Sequence, residues 1–249
     1  MPLLISRRQL LLGAAATVTA AAPTPSPITL TAADSVKVFA WHYAASDAAK
    51  PAILLFHQAG SNHAEYSTIA PRLVAQGYHC LALDQRSGGK MWGVANRTAD
   101  ALGREADYLS ALKDLEAALA WPRTIGLPVR SIVWGSSYSA ALVLLLAARH
   151  PDDVKAVLAF SPGEYLGEPH LVESNARNVH APVFIDSAKD DEEITVARTL
   201  AQACHATQFI PGIAGVHGSS TLRGDRNPSG AAENWEAVNR FLKASASSA

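Results

Sequence analysis

The sequence predicts an α/β architecture: one mostly parallel sheet with helices on both faces, built as a single domain. Three observations carry this reading. Strand-length apolar runs alternate with helix-length segments along most of the chain, the order that builds a parallel sheet through right-handed crossovers. Residues 52–56, Ala-Ile-Leu-Leu-Phe, are apolar without alternation, as a strand covered on both faces must be. Residues 129–134 read as another strand, and an almost wholly apolar helix follows at 138–149 with hardly a loop between them.

The elements follow in order. Residues 28–33 and 36–43 read as two opening strands, with Asp34-Ser35 as the turn. After the strand at 52–56, Tyr66 to Ala75 reads as a helix closed by Gly77, and Tyr78 to Leu83 as the next strand. Residues 84–100 read as irregular and polar-aromatic. A long helix is expected over 103–120, where Leu109, Leu112, Leu115, Ala118 and Leu119 recur at helical spacing. Pro151 stops the apolar helix, and 154–160 is a strand. Residues 161–180 read as a connection with at most one weak helix. Then come a strand at 183–185, a helix at 192–204, a strand at 207–210 and a last helix at 233–242. Such sheets bind ligands at the carboxyl ends of their strands.

Composition excludes several classes. The chain has 249 residues, enough for one sizeable core. At 49% hydrophobic and 17% charged it is too apolar for a disordered chain. Lys plus Arg number 21 against 22 Asp plus Glu, so no basic surplus exists to neutralise a phosphate backbone. No nucleic-acid partner is expected. Two cysteines are too few for a disulfide scaffold or a Cys-rich zinc site. Cys80 and Cys204 read as small core hydrophobes, although an exported chain permits a disulfide between them.

The first residues read as a targeting segment. Arg7-Arg8 precedes Leu10 to Leu12 and a run of small and apolar residues from Gly13 to Ala22. This is the charge-then-apolar order of a secretory signal. An N-terminal membrane anchor is the rival, but the Ala- and Thr-rich run makes a weak membrane core. No later stretch reaches 18 apolar residues, so no stable membrane insertion of the mature chain is expected. Residues 1–22 are assigned to the signal and its cleavage region. Residues 23–249 are assigned to the single domain, with a short leader and a C-terminal tail. The segment Ser6 to Leu12 resembles a twin-arginine signal. That resemblance implies bacterial export machinery as a partner and a periplasmic or secreted location.

The strongest chemical signal is Val133-Trp134-Gly135-Ser136-Ser137-Tyr138-Ser139-Ala140, joining the strand to the apolar helix. A serine held on such a turn presents its hydroxyl above the sheet. The amide that follows, at the helix start, can face a developing oxyanion. The same serines could also be plain helix caps. A nucleophilic serine needs a base, and the base needs a carboxylate to orient it. Asp186, Asp190 and Asp191 follow the strand at 183–185, and His217-Gly218 follows the last strand.

These motifs resemble those of the α/β-hydrolase superfamily, in its compact dienelactone-hydrolase-like form, over roughly residues 36–243. Gly135-x-Ser137-x-Ser139 is similar to the nucleophile elbow Gly-x-Ser-x-Gly, with Ser139 in place of the last glycine. The resemblance implies an α/β-hydrolase fold without a large lid, because about 20 residues separate Phe160 from Val183. It implies a triad of Ser137, Asp190 and His217, with Asp186 and Asp191 as lesser candidates for the acid. His57-Gln58-Ala59-Gly60 resembles the family's oxyanion loop, which implies oxyanion donors at the amides of Tyr138 and Ala59. Asp84-Gln85-Arg86-Ser87-Gly88-Gly89 resembles the family's Asp-x-Arg-Gly-x-Gly turn, with Arg86 structural. His63 is placed near the pocket, and metal ligation by His57 and His63 lacks a third ligand pattern. Met91, Trp92, Glu164 and Tyr165 are expected to wall an open pocket.

The implied function is a serine hydrolase that cleaves small-molecule carboxylic esters through an acyl-enzyme. No metal or organic cofactor is implied. An amidase or peptidase using the same residues, and a non-catalytic binding protein on this scaffold, are the alternatives.

Overall fold

A computed structural model describes residues 24–46 and 49–246. The signal reading over residues 1–22 therefore lies outside the described residues. The chain folds as β1 (Ser26–Thr31), β2 (Lys37–Tyr43), β3 (Ile53–Phe56), α1 (Ala70–Val74), β4 (Cys80–Leu83) and α2 (Arg97–Leu102). It continues through α3 (Leu112–Thr124), β5 (Ser131–Ser136), α4 (Tyr138–Arg149), β6 (Val154–Phe160) and α5 (Leu171–Ala176). The last elements are β7 (Val183–Asp186), α6 (Asp191–Ala203), β8 (Thr207–Phe209) and α7 (Ala231–Ala246).

All eight strands form one sheet in the order β1-β2-β4-β3-β5-β6-β7-β8. β1 pairs antiparallel with β2 and β2 antiparallel with β4, while every later pairing is parallel. The sheet is therefore mostly parallel with helices on both faces, the α/β-hydrolase architecture that the motifs imply.

The parallel strands are apolar because both faces are covered. β3 and β4 are fully buried along their length. Leu54, Phe56, Leu81 and Val133 point to one side, where they join Leu115 and Leu119 of α3 and nearly all of α4 in one apolar cluster. Ile53, Leu55, Ile132 and Trp134 point to the other, against Leu73 of α1 and Trp235, Val238 and Leu242 of α7. α4 is buried from Tyr138 to Ala147. Each fully buried leucine along it contributes roughly 1.5–3 kcal/mol through removal from water.

Three elements differ from expectation for identifiable reasons. Residues 84–100, expected to be irregular, contain the start of α2. The Asn96 side chain caps it by accepting from the Ala99 amide at 2.8 Å. The long helix expected from residue 103 begins only at residue 112. Gly103, at φ +67°, ends α2 instead of starting a helix. The helix expected over 66–75 is a 3-10 turn at His63–Tyr66 followed by the short α1. Pro71 sits at the start of α1, where its missing N–H leaves no bond unmade. Cys80 and Cys204 are both free and buried, and burial raises both thiols, Cys204 to about 11.

Candidate active site

β5 ends at Ser136, α4 begins at Tyr138, and Ser137 alone makes the turn. Its backbone stands at φ 58°, ψ −121°, a region where a non-glycine residue is strained and is held only by its surroundings. Two features hold it. The Ser137 amide donates to Phe160 O of β6 at 2.8 Å. Gly135 lets strand and helix approach so closely that a Cβ there would lie 2.2 Å from Ser139 O.

Ser139, the departure from the glycine pattern, does more than fit. Its hydroxyl donates to His57 O at 2.6 Å and accepts from Gln85 Nε2 at 2.8 Å. It thereby ties the elbow to the loops after β3 and β4.

His217 precedes the 3-10 turn Gly218–Leu222. Its Nε2 lies 2.7 Å from Ser137 Oγ and its Nδ1 lies 2.7 Å from Glu193 Oε1. An ionised carboxylate only accepts, which assigns the proton to Nδ1 and leaves Nε2 to accept from the serine hydroxyl. Gly218, at φ +68°, follows closely packed, since a Cβ there would lie 2.4 Å from Ser136 Oγ. Trp134 Nε1 donates to Ser219 Oγ at 2.9 Å, and the Ser219 amide donates to Ser136 Oγ at 2.8 Å. The histidine loop is thus sewn to β5.

The carboxylate hydrogen-bonded to His217 is Glu193 and not Asp190, a correction to the pairing that the resemblance implied. Asp190 is the N-cap of α6, in extended conformation, and its Oδ1 accepts from the amides of Glu192 and Glu193, both at 3.1 Å. Those amides are otherwise orphans of the first helical turn. The cap places Glu193 in that turn, with a side chain long enough to reach the imidazole. Its second oxygen accepts from the Ala188 amide at 2.9 Å. Burial alone would raise the Glu193 carboxyl. Hydrogen bonds from His217, Ser161 and the Ala188 amide outweigh burial and bring its pKa down to about 2. The sequence held part of the signal: Asp190-x-x-Glu193 has capping-box spacing, which marks Asp190 as the cap, but Glu193 bonds the Ala188 amide and His217 where a full capping box would turn it back to the Asp190 amide. Asp186 closes β7, buried, with Oδ1 on the Ser187 amide at 2.7 Å. Asp191 is exposed on the first turn of α6.

The amides of Tyr138 and Ala59 carry no hydrogen bond to any acceptor among the described residues, so both are free for a ligand oxygen. The Tyr138 ring is buried, and its hydroxyl accepts from Gln85 Nε2 and Ser87 Oγ, each at 2.9 Å. The neighbouring Gln58 amide is engaged by Glu65 Oε2 at 2.8 Å. His57 braces this loop. Its Nδ1 lies 2.7 Å from Gln58 O and its Nε2 accepts from the Gln85 amide at 2.9 Å. Burial pushes its pKa down to about 4, so it stays neutral.

The other expected residues divide. Arg86 is structural, paired with Asp34 at 2.6 Å and Asp114 at 2.7 Å. His63 stacks on Trp41 and pairs with Asp84 Oδ1 at 2.9 Å, away from any wall role. No cluster of His, Cys, Asp or Glu that could hold a metal is present among the described residues. Glu164 is not a free pocket wall. Its two oxygens accept from the amides of Val172 and Glu173, at 2.9 and 2.8 Å, and so cap α5. Trp92 is committed as well, with Nε1 on Ser61 Oγ at 2.8 Å and its ring beneath Arg223 and Arg226. Met91 lies beside Gln58, its sulfur 3.6 Å from Nε2. Tyr165 lines an open cleft of about 320 Å³ together with Tyr108, Leu109 and Leu166. Tyr108, which the sequence reading missed, stacks on the Tyr138 ring at 4.5 Å between centroids.

Residues 39–246 match the dienelactone hydrolase family. Among curated proteins, the quorum-quenching protein AidA of Acinetobacter baumannii is 31% identical over 133 residues, 52% of this chain and 41% of AidA. The chain therefore spans less than half the length of this curated relative. Among solved structures, an esterase of Pyrococcus furiosus superposes with a TM-score of 0.67 at 18% identity, covering 88% of this chain and 92% of its own. A putative dienelactone hydrolase of Klebsiella pneumoniae gives 0.67 at 19% identity, covering 90% and 99%. Est1E of Butyrivibrio proteoclasticus gives 0.66 at 17%, covering 89% and 99%. At such identities these structures establish the shared fold.

Proposed function

Because this chain belongs to the dienelactone hydrolase family, we propose that it is a serine hydrolase that cleaves small carboxylic esters through an acyl-enzyme. The observation that carries the proposal is the continuous hydrogen-bonded line from Ser137 Oγ through His217 to Glu193, with both links at 2.7 Å. A hydroxyl, an imidazole in the Nδ1–H tautomer and an ionised carboxylate are the three parts that make serine a nucleophile at neutral pH.

In this reading His217 Nε2 takes the proton as Ser137 Oγ bonds to the ester carbonyl carbon. The carbonyl oxygen becomes an oxyanion facing the amides of Tyr138 and Ala59. Collapse expels the alcohol, which leaves with the proton from His217. Water then gives a proton to His217 and attacks the acyl carbon, and Ser137 recovers its proton as the acid departs. Glu193 keeps the tautomer and stabilises the imidazolium formed in each half. A lactone is a cyclic ester, so the family's namesake substrate class falls within the same chemistry. One apolar arm of the substrate is assigned to the cleft between Tyr108 and Tyr165, whose walls rest on Tyr138 and, through the Tyr165 hydroxyl, on Ser161 O at 3.4 Å. The twin-arginine-like leader supports export of the folded chain as part of the same proposal.

A pair of substrates with the same acyl group, one a p-nitrophenyl ester and one a p-nitroanilide, tests the reaction class. The expected result is ester turnover that exceeds anilide turnover by at least about 100-fold and is lost in Ser137→Ala, since losing a nucleophile of this type costs roughly 10⁶-fold in kcat. Equal turnover of the two would favour an amidase. Ester turnover retained in Ser137→Ala would contradict the proposed nucleophile.

A further inference from the structure

Glu65 is a carboxyl that the reaction does not use directly, and it is wholly buried beneath the candidate site. It sits in the 3-10 turn His63–Tyr66, downstream of the loop that carries Ala59. Its Oε2 accepts from the Gln58 amide at 2.8 Å. Its Oε1 meets no hydrogen-bond partner among the described residues. Burial raises this carboxyl above its ordinary range, against the nearby Ser136 hydroxyl, the Gln58 amide and the Ser61 hydroxyl, which act the other way.

Donor counting shows what those two hydroxyls require. Ser136 Oγ accepts from the Ser219 amide at 2.8 Å, and Ser61 Oγ accepts from Trp92 Nε1 at 2.8 Å. Both partners only donate. Each hydroxyl therefore keeps its own proton to place, and the buried Glu65 carboxyl lies near both. Arg223 supports the same turn from outside, its Nη1 donating to Glu65 O at 2.8 Å.

Three segments of the site come together around this carboxyl, one of them bonded to it directly. Gln58 precedes Ala59, Ser136 precedes Ser137, and Ser136 holds Ser219, two residues after His217. Building on the hydrolase reading above, we propose that Glu65 is a positioning residue whose buried carboxyl group clamps these segments and aims the Ala59 amide at the oxyanion formed on Ser137. Removing the clamp leaves the Ser137–His217–Glu193 line in place but loosens one oxyanion donor. The loss falls on the transition state more than on substrate binding.

The test compares wild type with Glu65→Gln and Glu65→Ala on a p-nitrophenyl ester, with near-UV circular dichroism and Tm recorded for each protein. Glu65→Gln keeps the volume and can still accept from Gln58, so it guards against an alanine variant that fails to fold. The expected result is a folded Glu65→Gln with kcat lowered about 10-fold or more and KM within about two-fold, and a larger kcat loss in Glu65→Ala, in keeping with 10²–10³-fold for losing one oxyanion donor. Unchanged kcat in a folded variant would overturn the proposal, as would a loss confined to KM. Amide hydrogen exchange across residues 58–61 is read in parallel, without substrate. Faster exchange in Glu65→Gln is expected, and exchange identical to wild type would overturn the clamp. A wild type inert toward the ester would contradict the hydrolase reading, while the exchange measurement would still decide the clamp.

Discussion

At the scale of single residues, the separation between Asp190 and Glu193 decides how the candidate site works. Asp190 is short, extended and placed where two unpaired amides converge, so its carboxylate closes the end of α6. Glu193 is one methylene longer and reaches Nδ1 of His217. The two carboxylates therefore separate in experiment. Glu193→Gln is expected to lower kcat roughly 10²–10⁴-fold with the fold intact, because a side chain that can also donate no longer enforces the Nδ1–H tautomer. Asp190→Ala is expected to lower stability by about 1 kcal/mol, the usual cost of a lost N-cap, with kcat kept within about 10-fold. Ester kinetics and denaturant unfolding of both variants check this, and the reverse pattern would return the acid role to Asp190. The resemblance placed an aspartate at a set distance after β7. Which of four consecutive acidic side chains, 190–193, touches an imidazole 24 residues on from Glu193 depends on where the first turn of α6 begins. Linear spacing does not contain that.

At the scale of elements, what could be read from sequence and what could not divide by a physical cause. The β5–Ser137–α4 unit was legible because it is local: strand, turn and helix are contiguous, and Gly135 marks the close approach. The short α2 was hidden because its cap and its terminal Gly103 lie in a polar stretch without apolar period. The pocket residues were poorly legible because loops fold on side-chain bonds. Glu164 turned out to cap α5 and Trp92 to lie beneath two arginines.

The end of β7 carries a liability of the same non-local kind. Asp186 is buried and its Oδ2 has no partner among the described residues. Burial, with Glu193 and Glu233 nearby, pushes its carboxyl well above the usual range, against the Ser187 amide. A folded-state pKa above the unfolded one means that this group favours the fold most below the ordinary carboxylate range, near pH 4. The advantage is lost as pH rises toward the folded value. Asp186→Asn, which cannot ionise, is expected to flatten that dependence, with a Tm gain over wild type at pH 8 larger than at pH 4. Equal shifts at both pH values would contradict the burden assigned to this carboxyl.

At the scale of the whole molecule, the topology brings distant pieces of chain to one edge. β3, β5, β6 and β7 run parallel, so Ala59, Ser137, Ser161 and the first turn of α6 with Glu193 all follow their carboxyl ends. His217 arrives after β8, 80 residues from Ser137 in sequence. Apolar layers on both faces pack behind this edge, and a strained serine turn persists only where its surroundings hold it. The sheet and its two layers were readable because apolar runs report backbone packing, and the closeness of Ser137 to His217 because their motifs resemble those of a known family. The carboxylate partner and the pocket walls depend on side-chain reach across loops, which is set only once the sheet has formed.

The proposed chemistry depends first on an activated hydroxyl at Ser137. The most direct measurement is intact mass of the native protein after incubation with a fluorophosphonate, beside Ser137→Ala. One covalent adduct is expected, mapped to Ser137 and absent from the variant. No adduct under conditions that label a known serine esterase, or an adduct that persists in Ser137→Ala, would contradict it.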